Sequence, residues 1–187
     1  MSNSIVFIDA RLNDYQTLLD GLAGSNQEIV LIGDGVDGIR TMAETLGGRS
    51  GIEAIHVLGH GSSGSVQLGT STLSSDTLTT YAKQLAVIGS SLTENGDILL
   101  YGCNVAAGQS GLDFIGKLAQ ATGADVAAST GLTGAAEKGG DWILEAHIGS
   151  VETQNFHISN YDILLATTFD LGNGTIAGGN GVRTISG

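Results

Sequence analysis

The 187-residue chain has no proline, one cysteine, seven basic residues and no apolar run long enough to span a bilayer. Average usage would give roughly 9 prolines, so Pro-rich linkers, collagen-like segments and cis-proline devices are excluded. A single thiol, Cys103, excludes an intrachain disulfide and any multi-cysteine zinc or iron–sulfur site. Seven Lys and Arg stand against 19 Asp and Glu, a net charge of −12. Such a chain repels nucleic-acid backbones and anionic membrane surfaces, so neither is expected as a partner. The longest apolar runs, such as Ile29–Ile32 and Ile163–Ala166, are far too short to span a bilayer. Met1–Ser4 carries no basic region and Ile5–Ile8 is too short for a signal-peptide core, so any export is expected without an N-terminal signal of that kind.

What is present is an apolar 41% and 30 glycines, a composition that folds. Apolar runs alternate with helical patterns, which predicts an α/β fold around a mainly parallel, six-stranded sheet. Strands are expected at 5–9, 28–32, 54–58, 97–101, 124–128 and 141–148, with a small hairpin over 65–73. Helices are expected after the first two strands, from Ser75, and from a capping box at Ser110 and Asp113. Composition shifts beyond Val151, which predicts one domain over 1–151. The remainder, 152–187, reads as a linker, a Gly-rich tail and the start of a β-rich unit.

Two strands end in residues suited to thiol chemistry. His60 follows the third strand and Cys103 the fourth; if these strands are parallel neighbours, both side chains emerge at one sheet edge. That edge is where open α/β sheets bind ligands. A cysteine needs a lowered pKa or an adjacent base to act as nucleophile, and histidine is the usual partner. Gly61 lets a substrate approach closely, and its N–H together with that of Cys103 would suit an oxyanion hole. Taken singly, a His-Gly turn or a lone cysteine is usually structural; their coincidence at one edge carries the expectation.

Ile55-His56-Val57-Leu58-Gly59-His60-Gly61 and Ile98-Leu99-Leu100-Tyr101-Gly102-Cys103, with His60 and Cys103 43 positions apart, resemble the two-block signature of caspase-like (clan CD) cysteine peptidases. Residues 4–150 resemble more closely the DUF4347 domain, a caspase-like module of very large bacterial surface or secreted proteins. The segments Ala107-Gly108, Ala127–Thr130 and Gly139–Trp142 also carry that likeness. The resemblance implies a three-layer αβα sandwich and a cysteine endopeptidase of secreted or cell-surface location. Cys103 is then the nucleophile, His60 the general acid/base protonating the leaving amine, and Gly61 and Cys103 the oxyanion donors. No third, orienting residue stands out; Glu53 and His56 are the nearest candidates.

Residues for substrate binding follow with less definition. Asp9, in the loop after the first strand, would favour a basic P1 side chain and Arg11 an acidic one, although a strand-end pair is usually just solvated. Ser129 and Trp142 flank the expected groove, with core packing the commoner role for Trp142. The substrate is expected to be a polypeptide, with the linker Phe156–Leu165 as an exposed target for self-processing at high effective concentration. The dyad requires no cofactor. Asp-bearing Gly-rich loops such as Gly33–Gly38 leave Ca2+ as an optional activator or structural ion. That loop lacks the spacing of a dinucleotide fingerprint, and Gly178–Arg183 departs from a calcium repeat at Arg183. Ser62 and Ser63 belong to no nucleophile elbow, and His147 and His157 have no metal-ligand spacing. The competing expectation is a catalytically silent binding or spacing module of an adhesin, in which Cys103 is buried.

Overall fold

In the computed structural model, which describes residues 3–166, the elements run β1 (Ser4–Asp9), α1 (Tyr15–Leu22), β2 (Glu28–Ile32), α2 (Gly38–Leu46), β3 (Ile52–Leu58), β4 (His60–Ser62), β5 (Ser65–Leu68), β6 (Ser71–Ser74), α3 (Ala82–Ser91), β7 (Leu92–Tyr101), α4 (Gly108–Thr122), β8 (Asp125–Ala128) and β9 (Ala146–Ile148). The six-stranded sheet has the order β2-β1-β3-β7-β8-β9. All its pairings are parallel except β8 with β9. A second, antiparallel sheet of β4, β5 and β6 hangs from the end of β3. The expected tail over 167–187 lies outside the described residues. No helix among the described residues is long and apolar enough to cross a membrane.

The central strands are apolar on both faces because both are covered, as a parallel sheet requires. Their side chains divide by alternation. Ile5, Phe7, Ile55, Val57, Ile98, Leu100, Val126 and Ala128 enter one layer; Val6, Ile8, Ala54, Leu58, Leu99, Tyr101 and Ala127 enter the other. The first layer is closed by α2, α3 and α4, through Ile39, Met42, Leu46, Leu85, Ile88, Phe114, Ile115 and Leu118. Each such side chain contributes about 1.5–3 kcal/mol by leaving water. The second layer has only α1 (Leu18 and Leu22), so the remaining cover comes from Trp142, Leu144, Ile158, Tyr161, Leu164 and Leu165. The result is a three-layer α/β sandwich, with irregular chain making up much of one layer.

Several local expectations are revised. Asp37 ends the Gly33–Gly38 loop as the cap of α2: it accepts from Arg40 N at 3.1 Å and from the Tyr81 hydroxyl at 3.0 Å. Its carboxylate thus caps the helix and also pairs with the Arg40 side chain at 3.2 Å. Helix α4 begins at Gly108, so Ser110 and Asp113 lie within it and form no capping box. The sixth strand shortens to β9, and the hairpin gains a third strand, β4, that contains His60 itself.

The largest revision concerns 152–166, which is not an exposed linker. Thr153 N donates to Asp97 Oδ2 at 2.9 Å, and Phe156 N donates to the Tyr101 hydroxyl at 3.0 Å. The Phe156 ring stacks on His56 with centroids 4.1 Å apart. Tyr161 donates its hydroxyl to Asn13 O at 2.8 Å. Ile158, Tyr161, Leu164 and Leu165 are all buried, so Phe156–Leu165 packs onto the sheet, with 157, 159, 160 and 162 exposed between its anchors.

His56 makes this cover sensitive to acid. Burial lowers its pKa from 6.5 to about 4. Between those values the unfolded chain binds a proton that the folded one refuses, so stability is full above about pH 6.5 and falls as pH drops toward 4. The expected loss is about 3 kcal/mol. Urea unfolding at pH 7 and pH 4 should show this loss in the native chain and a flatter dependence in His56→Leu.

Candidate functional site

The offset between paired residues of β3 and β7 places the two chemical side chains. Leu58 pairs with Tyr101, 43 positions further on, and His60 and Cys103 share that offset. Gly59 N donates to Tyr101 O at 3.1 Å, carrying the pairing past the strand ends. A Cβ on Gly61 would lie 2.6 Å from Cys103 O and 2.6 Å from the Gly102 carbonyl carbon. Only a glycine at 61 lets the two main chains meet. His60 and Cys103 therefore leave adjacent strands at one height, on the C-terminal edge of the sheet. Strand order reverses between β1 and β3, so His60 also stands beside the switch point, where such sheets form crevices.

The turn carrying Cys103 is held from the loop after β8. Asn104 has a left-handed backbone, φ 61°, and is one of two non-glycine residues with positive φ among those described. Asn104 N donates to Gly131 O at 2.7 Å and Ala106 N to Ser129 O at 2.9 Å. A strained residue directly after a nucleophile candidate is the kind of feature that collects at functional sites.

Cys103 itself is 1% exposed. Its sulfur accepts from Thr133 N at 3.2 Å and lies 3.6 Å from Thr133 O. Burial pushes the thiol pKa up, partly offset by the N–H groups of Thr133, Leu165 and Cys103 itself. His60 is partly exposed. Its Nε2 lies 3.3 Å from Arg11 O, and its Nδ1 is shielded and has no hydrogen-bond partner. Among the described residues no hydrogen bond joins His60 to Cys103.

The cover over the thiol is an extended piece of the same chain. Ala135 N donates to Ile163 O at 3.0 Å and Leu165 N to Thr133 O at 2.8 Å. Leu164 forms an antiparallel bridge with Gly134, and Ala166 a parallel bridge with Gly61. Residues 163–166 thus run as a strap between the end of β3 and the loop after β8, with Leu165 N against the Cys103 sulfur.

The remaining expected site residues are structural in their contacts. Asp9 is fully buried and accepts from Arg11 N at 2.9 Å and Gly69 N at 3.1 Å. The Arg11 guanidinium is bonded to Gly69 O. The two therefore brace the β1 loop and do not form a charged P1 pocket. Ser129 closes its own turn through Gly131 N and O. Trp142 is 5% exposed and packs its ring between Tyr101 and Tyr161, at centroid distances of 6.1 and 6.0 Å; it is core and not groove wall. Glu53 bonds Asn3 N and His56 lies inside the second layer, so neither orients His60.

Residues 5–165 match the family described as a domain of unknown function, DUF4347. The chain belongs to this family. No curated protein matches it. The DUF4347 match extends to Leu165, so the family unit includes the strap and not only the expected 1–151.

Gly61 yields a direct test of the contact between the two blocks. Gly61→Ala should lower stability by about 1–3 kcal/mol, because the new methyl meets main-chain atoms that cannot swing away. Gly35→Ala, with nothing within 4 Å and no positive φ, should leave the thermal midpoint nearly unchanged. Equal midpoints for the two variants would contradict the close approach at Gly61.

Proposed function

We propose that this DUF4347 chain is a cysteine endopeptidase of caspase-like type, held in a closed state in which residues 163–166 cover the nucleophile. The observation that carries the reading is the shared 43-residue offset, which sets His60 and Cys103 level on adjacent parallel strands. The strap supports it from the substrate side. A groove that holds an extended segment by main-chain bonds to Thr133 and Ala135, with a β-bridge to Gly61, is suited to an extended peptide.

In the open state the Cys103 thiolate attacks a peptide carbonyl carbon, and the oxyanion is met by the N–H groups of Gly61 and Cys103. The C–N bond breaks as His60 delivers a proton to the departing amine. Water then hydrolyses the thioester, releasing the acid and restoring the thiol. The dyad needs no cofactor. With the strap in place the thiol is protonated and inaccessible, so activity depends on lifting 163–166. The substrate class is a polypeptide presented in extended form, in keeping with a secreted or surface location on a bacterium. Self-processing within Phe156–Leu165 would first require that segment to leave the core.

A second reading, a silent binding or spacing module, is favoured by one observation: Cys103 is buried and its pKa is raised. Alkylation separates the two. Iodoacetamide should label Cys103 slowly in the native chain, and much faster in Leu164→Asp, where a charge is forced into the strap's buried position. In that opened chain the peptidase reading expects a labelling-rate midpoint below the ordinary thiol pKa of about 8.5, moving up toward it in His60→Ala. It also expects cleavage of an unstructured protein such as casein, lost in Leu164→Asp/Cys103→Ala. An opened chain with an ordinary thiol midpoint and no cleavage would establish the silent module.

A further inference from the structure

The opposite edge of the sheet, where the parallel strands begin, gathers carboxylates. Asp97, in β7, and Asp125, which opens β8, are direct register partners. Glu152 follows β9 and precedes the threonine that bonds Asp97. One carboxylate oxygen from each residue lies within 4.8 Å of the other two. The two salt bridges formed among the described residues, Arg40–Asp37 and Arg49–Glu28, lie elsewhere. Like charges placed directly across a strand pair repel, and here a third joins them.

One further observation points to a ligand. Asp97 is 1% exposed, and while its Oδ2 accepts both the N–H and the hydroxyl of Thr153, its Oδ1 is buried with no hydrogen-bond partner. A buried carboxylate oxygen without a donor is costly unless a cation meets it. Gly149, at φ 83°, brings the chain so close to Asp125 that a Cβ there would sit 1.7 Å from Asp125 Oδ1. A glycine at 149 thus lets the chain fold down over one carboxylate and deliver Glu152 beside it.

We propose that Asp97, Asp125 and Glu152 form a binding site for one hard divalent cation, Ca2+ by the charge and number of the carboxylates. Two oxygens on opposite sides of a Ca2+ stand about 4.6–5.2 Å apart, given Ca–O distances of about 2.3–2.6 Å, whereas Mg2+ draws its ligands to about 4.1 Å. Three oxygens all within 4.8 Å of one another fit inside a Ca2+ shell, and Mg2+ gives up its waters reluctantly, so a site of several protein carboxylates favours Ca2+. All-oxygen donors with a net negative surplus suit a hard ion, and the exposed position of Glu152 leaves room for water to complete the shell. The ion would clamp the start of 152–166 to the base of the sheet, the segment whose far end covers Cys103. Binding is independent of the thiol, so its test does not depend on the peptidase reading.

Calorimetric titration of the full chain with Ca2+ should show one saturable site, with Kd about 10⁻⁴–10⁻³ M if it resembles extracellular modules. Ca2+ should raise the thermal midpoint, Mg2+ at equal concentration should raise it less, and Cys103→Ala should respond as the native chain does. Glu152→Gln, at an exposed position, should weaken Ca2+ binding by at least about 10-fold. Without Ca2+ its midpoint should equal or exceed that of the native chain, since a repulsion is removed; a purely structural Glu152 would lower it. Asp125→Asn should weaken binding similarly. No saturable binding up to about 10 mM Ca2+, or native affinity in both variants, would overturn the site.

Discussion

A parallel sheet must be covered on both faces, and this one has three helices for one face and a single helix for the other. The shortfall is met by 142–166, which lays Trp142, Phe156, Ile158, Tyr161 and Leu165 against the side chains of β1, β3 and β7. Because that segment ends as a strap over Cys103, the packing of the core and the access to the thiol are one problem. Any event that exposes the sulfur has to remove apolar surface from the same layer that stabilises the fold. This coupling explains why the thiol pKa is raised and not lowered: the water that would solvate a thiolate is excluded by the chain that completes the sandwich.

The main strands were legible because burial on both faces leaves an unbroken apolar run, as in Ile5–Ile8 and Ile98–Tyr101. The level placement of His60 and Cys103 was legible for a related reason, since strand register converts a constant sequence offset into adjacency. The burial of Cys103 was not. It depends on 163–166, whose neighbours at Gly61 and Thr133 lie about 100 and 30 residues back in the chain. The mixed pattern of Phe156–Leu165 reads as a linker only because its side chains face a sheet and not a helix stripe, so no 3.6-residue period appears.

Side-chain roles fared unevenly for a local reason. Asp9, Arg11, Ser129 and Asp37 each spend their hydrogen-bonding capacity on main-chain groups of nearby loops. Composition cannot distinguish a carboxylate that braces a turn from one held ready for a ligand. The acidic cluster escaped notice because its members are about 27 residues apart in sequence. The available signal was positional: Asp97 directly follows Gly96 and Asp125 closely follows the helix-ending Gly123, and the pairing of β7 with β8 begins by setting them side by side.

The hydrogen bond from Tyr161 to Asn13 spans 148 residues, and it bears on how the chain is made. During synthesis β1, β3 and β7 can pair and receive α2, α3 and α4 as these emerge, but the second face stays open until 142–166 has left the ribosome. A nascent chain therefore passes through a stage in which the sheet is assembled and Cys103 is uncovered. Oxidants or partners present at that stage meet a different molecule from the one that exists a moment later.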